Sequence, residues 1–224
     1  RALLALQGPA AAVALARLAP ECESLRFMTT AETALEGVPA RVSRTGYTGE
    51  DGFEISIPAE HAEAVARKLL AMPEVRPAGR GARDSLRLEA GLCLYGHDID
   101  STTTPVEAQL VWTIGKRRRE AADFPGADEI LEELRQGAPR KLVGIRPEGR
   151  APAREGTEVQ DAEGRTIGRV TSGGFGPTVG GPIAMGYVES AFAEPGSDLT
   201  LIVRGKPLAA KVAELPFVPH RYRR

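Results

Sequence analysis

Residues 43–54 read Ser-Arg-Thr-Gly-Tyr-Thr-Gly-Glu-Asp-Gly-Phe-Glu, and the reading of the whole chain works outward from this stretch. Gly46, Gly49 and Gly52 stand three apart, with Tyr47 and the acids Glu50, Asp51 and Glu54 between and around them. Apolar, strand-like runs flank the stretch at 38–42 and 53–57. Glycine tolerates positive φ and close backbone approach. The segment therefore reads as a tight loop between two strands, presenting Tyr47 and an acid from its edges. The plain alternative is an ordinary Gly-rich turn. No Lys adjoins the glycines and no helix opens after them, so neither a phosphate loop nor a dinucleotide fingerprint fits.

Before the loop, residues 2–6 suggest a strand. Gln7-Gly8-Pro9 turns the chain, and Pro9 suits a helix first turn. A helix follows over 10–18, stopped by Pro20. Residues 33–35 and 38–44 suggest two strands around a Glu36-Gly37 turn. After the loop, 53–57 alternates as a half-buried strand does. Residues 58–72 read as a helix with Ala62, Val65, Ala66, Leu69 and Leu70 on one face. Residues 81–90 read as another, with Asp84 placed to accept from the free N–H groups of its first turn and Gly91 as its C-cap. Interleaved strands and helices describe an α+β sandwich of ferredoxin-like flavour. A further helix spans 123–135. From Lys141 the texture changes. Short Val, Ile and Leu runs at 142–145, 157–160, 166–172, 184–188, 199–203 and 208–212 alternate with turn signals such as Glu163-Gly164, Pro195-Gly196 and Arg204-Gly205. That pattern predicts a small antiparallel β-barrel. The expected organisation is an α+β domain over 1–120, a connecting helix in 121–140 and a barrel domain over 141–224.

With 224 residues and 42% hydrophobic content, the chain can bury the core of one large domain or two small ones. A formal net charge of −1 gives no global basic field for nucleic acid. No apolar run has the length of a membrane helix, and no signal peptide is visible. Cys22 and Cys93 show no metal-like spacing, which fits a reduced cytosolic protein. The chain opens on Arg1 and runs straight into an apolar strand, as the interior of a longer protein would.

Three further segments carry candidate chemistry. In Gly81–Gly91, Arg83 and Arg87 share a helix face, whereas Arg87 and Glu89 do not face each other; taken alone, the segment reads most simply as a capped, charged surface helix. In 94–107, His97, Asp98, Asp100 and Glu107 raise the question of a metal, but a lone His without a helical partner argues against one. A capped turn leading into a helix at Pro105 is the simpler reading. In 112–119, four consecutive cations follow the only Trp. They form either a solvated face or a docking site for an acidic protein. His61, between Glu60 and Glu63, reads as solvent-exposed. No Ser-His-Asp or Cys-His arrangement is visible, so nucleophilic catalysis has no candidate residue.

Together these segments resemble the aminomethyltransferase, or T-protein, family of the glycine cleavage system. The resemblance rests on Arg-Thr-Gly-Tyr-Thr-Gly-Glu-Asp-Gly-Phe-Glu at 44–54, Ala-Arg-Asp-Ser-Leu-Arg-Leu-Glu-Ala-Gly-Leu at 82–92, Thr-Thr-Pro-Val-Glu at 103–107 and Trp-Thr-Ile-Gly-Lys-Arg-Arg-Arg at 112–119. Thr-Ser-Gly-Gly-Phe-Gly-Pro-Thr at 171–178 and Pro-Phe-Val-Pro at 216–219 add to it. The family carries a long N-terminal region, with its catalytic aspartate, before the segment matched by Leu6-Gln7-Gly8-Pro9. The resemblance therefore implies the middle and C-terminal part of such a protein, inactive alone, with no catalytic residue among 1–224.

The resemblance implies transfer of a one-carbon unit from aminomethyl-lipoyl H-protein to tetrahydrofolate, releasing ammonia and giving 5,10-methylenetetrahydrofolate. It implies tetrahydrofolate as co-substrate, no flavin and no metal, H-protein as partner, and neither nucleic acid nor membrane. The location would be cytoplasmic, or the mitochondrial matrix in a eukaryote. By the family's pattern Glu54 accepts the paired N–H donors of the pterin, with Tyr47 alongside, Arg83 as a folate contact and Tyr222 as a substrate-contacting tyrosine. His220-Arg221 beside Tyr222 is less typical of the family. Trp112 packs either near the site or in a core. Arg117, Arg118 and Arg119 are the expected H-protein contacts. Two other families share the resemblance: the folate-binding tail of dimethylglycine and sarcosine dehydrogenases, and a non-catalytic folate-binding relative of iron–sulfur assembly. The former would need a flavin domain, and the Lys-Gly-Cys-Tyr-like motif of the latter is missing.

Overall fold

The strands flanking the 43–54 loop build an antiparallel sheet. In the computed structural model, which describes residues 1–224, β1 (Ala2–Gln7), β2 (Thr30–Leu35), β3 (Val38–Ser43) and β4 (Gly52–Ile57) lie in the order β1-β4-β3-β2. Phe53, Ile55 and Ile57 of β4 are fully buried, while Glu54 and Ser56 between them are half-buried. Strand alternation thus turns Glu54 to the face opposite the core. The core face is covered by α1 (Ala11–Ala16), through Ala14 and Leu15, and α2 (Ala62–Leu70), through Val65 and Leu69. Burying each large aliphatic or aromatic side chain here contributes about 1.5–3 kcal/mol. α3 (Arg80–Glu89) follows, and Gly91 ends it at φ +64°, a left-handed cap open to glycine.

Six further strands close a barrel. They are β5 (Arg140–Pro147), β6 (Glu158–Gln160), β7 (Thr166–Gly176), β8 (Gly181–Glu189), β9 (Asp198–Val203) and β10 (Lys206–Ala213), in the order β10-β5-β8-β7-β6-β9. Their inward residues, among them Val143, Ile145, Val159, Val170, Val188 and Leu201, form one core. Register shifts between Val159 and Gln160, and between Val170 and Ser172, give the bends that closure needs. The sheet and the six-stranded barrel are the two architectures read from the sequence. No helix is long and apolar enough to cross a membrane.

Packing divides the chain into Arg1–Ala90 with Pro219–Arg224, and Gly91–Val218. That division falls elsewhere than the change of texture near residue 140. The bonds of residues 91–110 explain it. Asp98, 1% exposed, accepts from Thr171 Oγ1 at 2.6 Å, Ser172 Oγ at 2.8 Å and the Leu94 N–H at 2.9 Å. Its carbonyl accepts from the Tyr187 hydroxyl, whose pKa burial pushes up. Arg140 grips Glu107 with both Nε and Nη2.

Two local expectations fail. No helix grows from Pro105. Thr104 and Glu107 do form a reciprocal cap, but the Glu107 carbonyl accepts from the Leu142 N–H and Gln109 turns left-handed at φ +57°. The helix expected over 123–135 starts late, as α5 (Ala127–Gln136), because Gly126 sits at φ +75°. The basic run is itself helical, as α4 (Lys116–Ala121), ended by left-handed Ala122.

Candidate functional site

The glycine loop is built around a glutamine. Gln7 ends β1 and pairs with Gly52. Its amide lies inside the loop, where Nε2 donates to the Thr45 carbonyl at 3.0 Å and the Phe53 carbonyl at 3.2 Å. Its Oε1 accepts from Thr48 Oγ1 at 3.2 Å. A Cβ on Gly46 would stand 1.9 Å from Gln7 Oε1, and one on Gly52 2.6 Å from it. Those two glycines are there because the amide takes their side-chain space. Gly49 serves another need, at φ +77° and with a Cβ position only 2.9 Å from the Ala90 Cβ.

An ion pair closes the loop from the other side. Arg44, 1% exposed, donates to both oxygens of Asp51 and to the carbonyls of Glu23 and Leu25, while its guanidinium lies over Phe53. Those hydrogen bonds hold the Asp51 carboxyl below its usual range, against the opposing effect of burial. The C-terminal segment adds a strap. The Arg221 N–H donates to the Gly49 carbonyl at 2.8 Å, Arg221 Nη1 pairs with Glu50 at 2.8 Å, and His220 Nε2 is 2.8 Å from the Ala90 carbonyl.

Against this loop lies a cavity of about 660 Å³. Gln7, Tyr47 and Glu54 line one part of it, Leu69 and Val75 another, and Arg83 and Leu86 of α3 a third. Arg83 stands over the Tyr47 ring, 5.0 Å from its centroid. Glu54 Oε2 accepts from Thr45 Oγ1 at 2.5 Å, and Oε1 takes no hydrogen bond from the protein. The site therefore offers an acceptor carboxylate, an aromatic face, a cation and apolar wall. That set suits a flat, polar-edged heterocycle carrying a negative tail.

Tyr47, Glu54 and Arg83 are thus brought together. Tyr222 is not among the cavity's residues; it stacks on Phe27 at 4.0 Å and 4°, and burial raises its hydroxyl pKa. Trp112 belongs to the other unit and is 76% exposed, so the core reading fails for it. Arg117, Arg118 and Arg119 are exposed on α4, the first two against Asp123. Asp84 does not cap α3; its Oδ1 accepts from Arg87 Nε at 2.8 Å. The four residues weighed as metal ligands go to separate partners: His97 to Glu155, Asp98 to the barrel hydroxyls, Asp100 to Thr102, and Glu107 to Arg140.

Gln7, Thr45 and Arg44 were missed by reading the sequence. Arg44 and Asp51, opposite charges bracketing Gly46 and Gly49, were the available signal for a loop-closing pair. No spacing pointed from Gly46 and Gly52 to Gln7.

Residues 1–118 match the family model described as the GCVT N-terminal domain, and residues 140–219 that of the glycine cleavage T-protein C-terminal barrel domain. The mitochondrial aminomethyltransferase of Gallus gallus is 53% identical over 219 residues, which is 97% of this chain and 56% of that protein. That of Homo sapiens is 52% identical over 223 residues, 99% of this chain and 55% of that protein. The crystal structure of glycine cleavage system aminomethyltransferase T from Bartonella henselae matches with a TM-score of 0.91 at 48% identity, over 99% of this chain and 61% of that one. The chain spans about half the length of the curated relatives it matches.

Proposed function

We propose, on the premise that the chain belongs to the glycine cleavage T-protein family, that its sheet unit is the tetrahydrofolate half of an aminomethyltransferase. The protein takes an aminomethyl group from the lipoyl sulfur of H-protein. Two folate amines each form a bond to the carbon, its bonds to sulfur and to nitrogen break, and a thiol and ammonia leave. The product is 5,10-methylenetetrahydrofolate. Little of this needs a protein nucleophile. It needs a folate held so that its amines reach the carbon.

The observation that carries the reading is Glu54. One oxygen is oriented by Thr45, while Oε1 takes no protein bond on a half-buried cavity wall. The amino-pyrimidinone edge of a pterin presents adjacent N–H donors that a carboxylate accepts as a pair. Tyr47 gives the ring a face, and Arg83 gives the folate a cation. Tyr222 is assigned as a weaker contact, reached only if it turns from its stack on Phe27, and Trp112, exposed rather than packed, is assigned with it on the family pattern alone. Arg117, Arg118 and Arg119 are assigned to docking of acidic H-protein. The compartment follows the source: cytoplasm in a bacterium, mitochondrial matrix in a eukaryote. Neither a flavin nor a metal enters this scheme.

The test is Glu54→Gln in the full-length protein. It keeps the shape but sets a donor NH₂ against a donor on the ligand. The loss is about 2–4 kcal/mol, or about 30- to 1000-fold in tetrahydrofolate affinity. Thermal melts run beside the titration should show little change. Binding within threefold of wild type removes Glu54 from the site, and an unfolded mutant makes it structural.

A further inference from the structure

We propose that Gln7 is a positioning residue for the Glu54 carboxylate, acting through Thr45 from inside the glycine loop. The inference rests on the folate reading of the cavity. Both amide protons of Gln7 are committed, one to the Thr45 carbonyl and one to the Phe53 carbonyl. These two residues adjoin the ends of the loop: Thr45 supplies the hydroxyl that holds Glu54 Oε2, and Phe53 is Glu54's neighbour in β4. One side chain thus fixes the backbone on both sides of the carboxylate it orients. Its oxygen accepts from Thr48, which caps the middle of the loop by accepting from the Glu50 N–H. The absence of side chains at Gly46 and Gly52 leaves the amide the space it occupies.

The arrangement leaves Glu54 with one oxygen held and one presented. Without the Gln7 amide, the Thr45 carbonyl loses its donor, and Thr45 is free to turn its hydroxyl away. Glu54 then keeps its charge but loses its aim. A carboxylate that accepts two parallel donors depends on orientation as much as on charge.

The experiment is a double-mutant cycle in the full-length protein, with tetrahydrofolate titrated into wild type, Gln7→Met, Glu54→Gln and the double variant, each melted thermally. Methionine keeps the bulk of Gln7 and removes its hydrogen bonds. Gln7→Met should weaken binding about tenfold, the loss of one well-aimed hydrogen bond between Glu54 and the ligand. In the Glu54→Gln background the same change should cost less than about twofold, because interacting residues are not additive. An equal loss in both backgrounds marks a merely structural role and overturns the proposal, as does binding by Gln7→Met within twofold of wild type. If Gln7→Met does not fold, Thr45→Val and Thr45→Ser interrogate the same route. Valine should weaken binding and serine restore it, and two indistinguishable variants overturn the proposal. Wild-type protein that does not bind tetrahydrofolate overturns the reading of the cavity itself, a result separate from any of these.

Discussion

Asp98 and Glu54 are both carboxylates at least partly withdrawn from water, one in each unit, and they are used in opposite ways. Both oxygens of Asp98 are taken by protein donors: Thr171 on one, Ser172 and the Leu94 N–H on the other. Glu54 has one oxygen held by Thr45 and one left without a protein donor, on the wall of a cavity. Withdrawing a carboxylate from water is tolerable only when its lone pairs are satisfied. Asp98 meets that condition with its own fold. Glu54 meets it in part, and on the reading proposed above the remainder is an offer to a ligand. Saturation marks the structural carboxylate and spare capacity the binding one.

The largest effect that tests this contrast is at Asp98. Asp98→Ala strips three donors of their acceptor in the barrel unit. The expected loss is roughly 3 kcal/mol or more of stability, seen as a fall of about 6–12 °C in Tm for a chain this long. Tetrahydrofolate affinity of the folded fraction should stay within about twofold, since sites without shared partners act independently. A variant that melts normally but loses affinity would break the contrast.

Arg44 gives the next effect, with a pH signature. Arg44→Met leaves Asp51 without its guanidinium partner and the Glu23 and Leu25 carbonyls without that donor, and should cost about 3 kcal/mol at neutral pH. The Asp51 pKa is depressed in the folded state and lies near 3.9 when unfolded. Its pairing therefore contributes fully above that unfolded value and is lost as pH falls through the folded one. Urea melts at pH 7 and pH 3 should show the gap between wild type and variant narrowing in acid. A gap that holds constant would mean that Arg44 acts through the carbonyls of Glu23 and Leu25 alone.

The same contrast governs what the sequence could disclose. The alternation in 53–57 and the six apolar runs after Lys141 are periodic, and both became strands because a pleated strand has period two. Tyr47, Glu54 and Arg83 were legible as parts of motifs, and they do converge. The failures are tertiary. Thr104 and Glu107 make the cap that announces a helix, yet a bond from the Leu142 N–H claims the Glu107 carbonyl. Gln7 looked like the start of a turn because its partners, Thr45 and Phe53, lie 38 and 46 residues away in sequence and meet it through side-chain bonds only once β1 has paired with β4. Asp98 raised only the question of a metal, and its structural role stayed hidden because sequence does not reveal how many hydroxyls the barrel will bring to it.

A smaller effect is expected at Arg83, the exposed cation over Tyr47. Arg83→Met should weaken tetrahydrofolate by about three- to tenfold, the loss of one cation near an aromatic face and an anionic tail. Melting should not move. A wild-type affinity in this variant would leave Glu54 and Tyr47 as the whole of the polar site and sharpen the case for the carboxylate.

A change in stability of no more than a small size is expected at α4, where charge has neither burial nor saturation. Arg118 meets Asp123 at 2.9 Å and Arg117 at 3.6 Å, with all three side chains largely in water. Exposed pairs of this kind contribute about 0–1 kcal/mol, so neutralising Arg117, Arg118 and Arg119 together to Gln should shift stability by no more than that. The lesson of Asp98 and Glu54 then applies in a third form: Arg119 pairs with no carboxylate, and the other two are held only loosely by one. Cations this little committed remain available to an acidic partner and act on the rate of encounter more than on the strength of the complex. In stopped-flow mixing of full-length protein with H-protein, the triple variant should associate more slowly at low salt, with a flatter dependence on ionic strength. Its dissociation rate should barely change. An unaltered salt dependence would return the three arginines to a solvated helix face, and a stability loss well above 1 kcal/mol would show that they hold α4 in place.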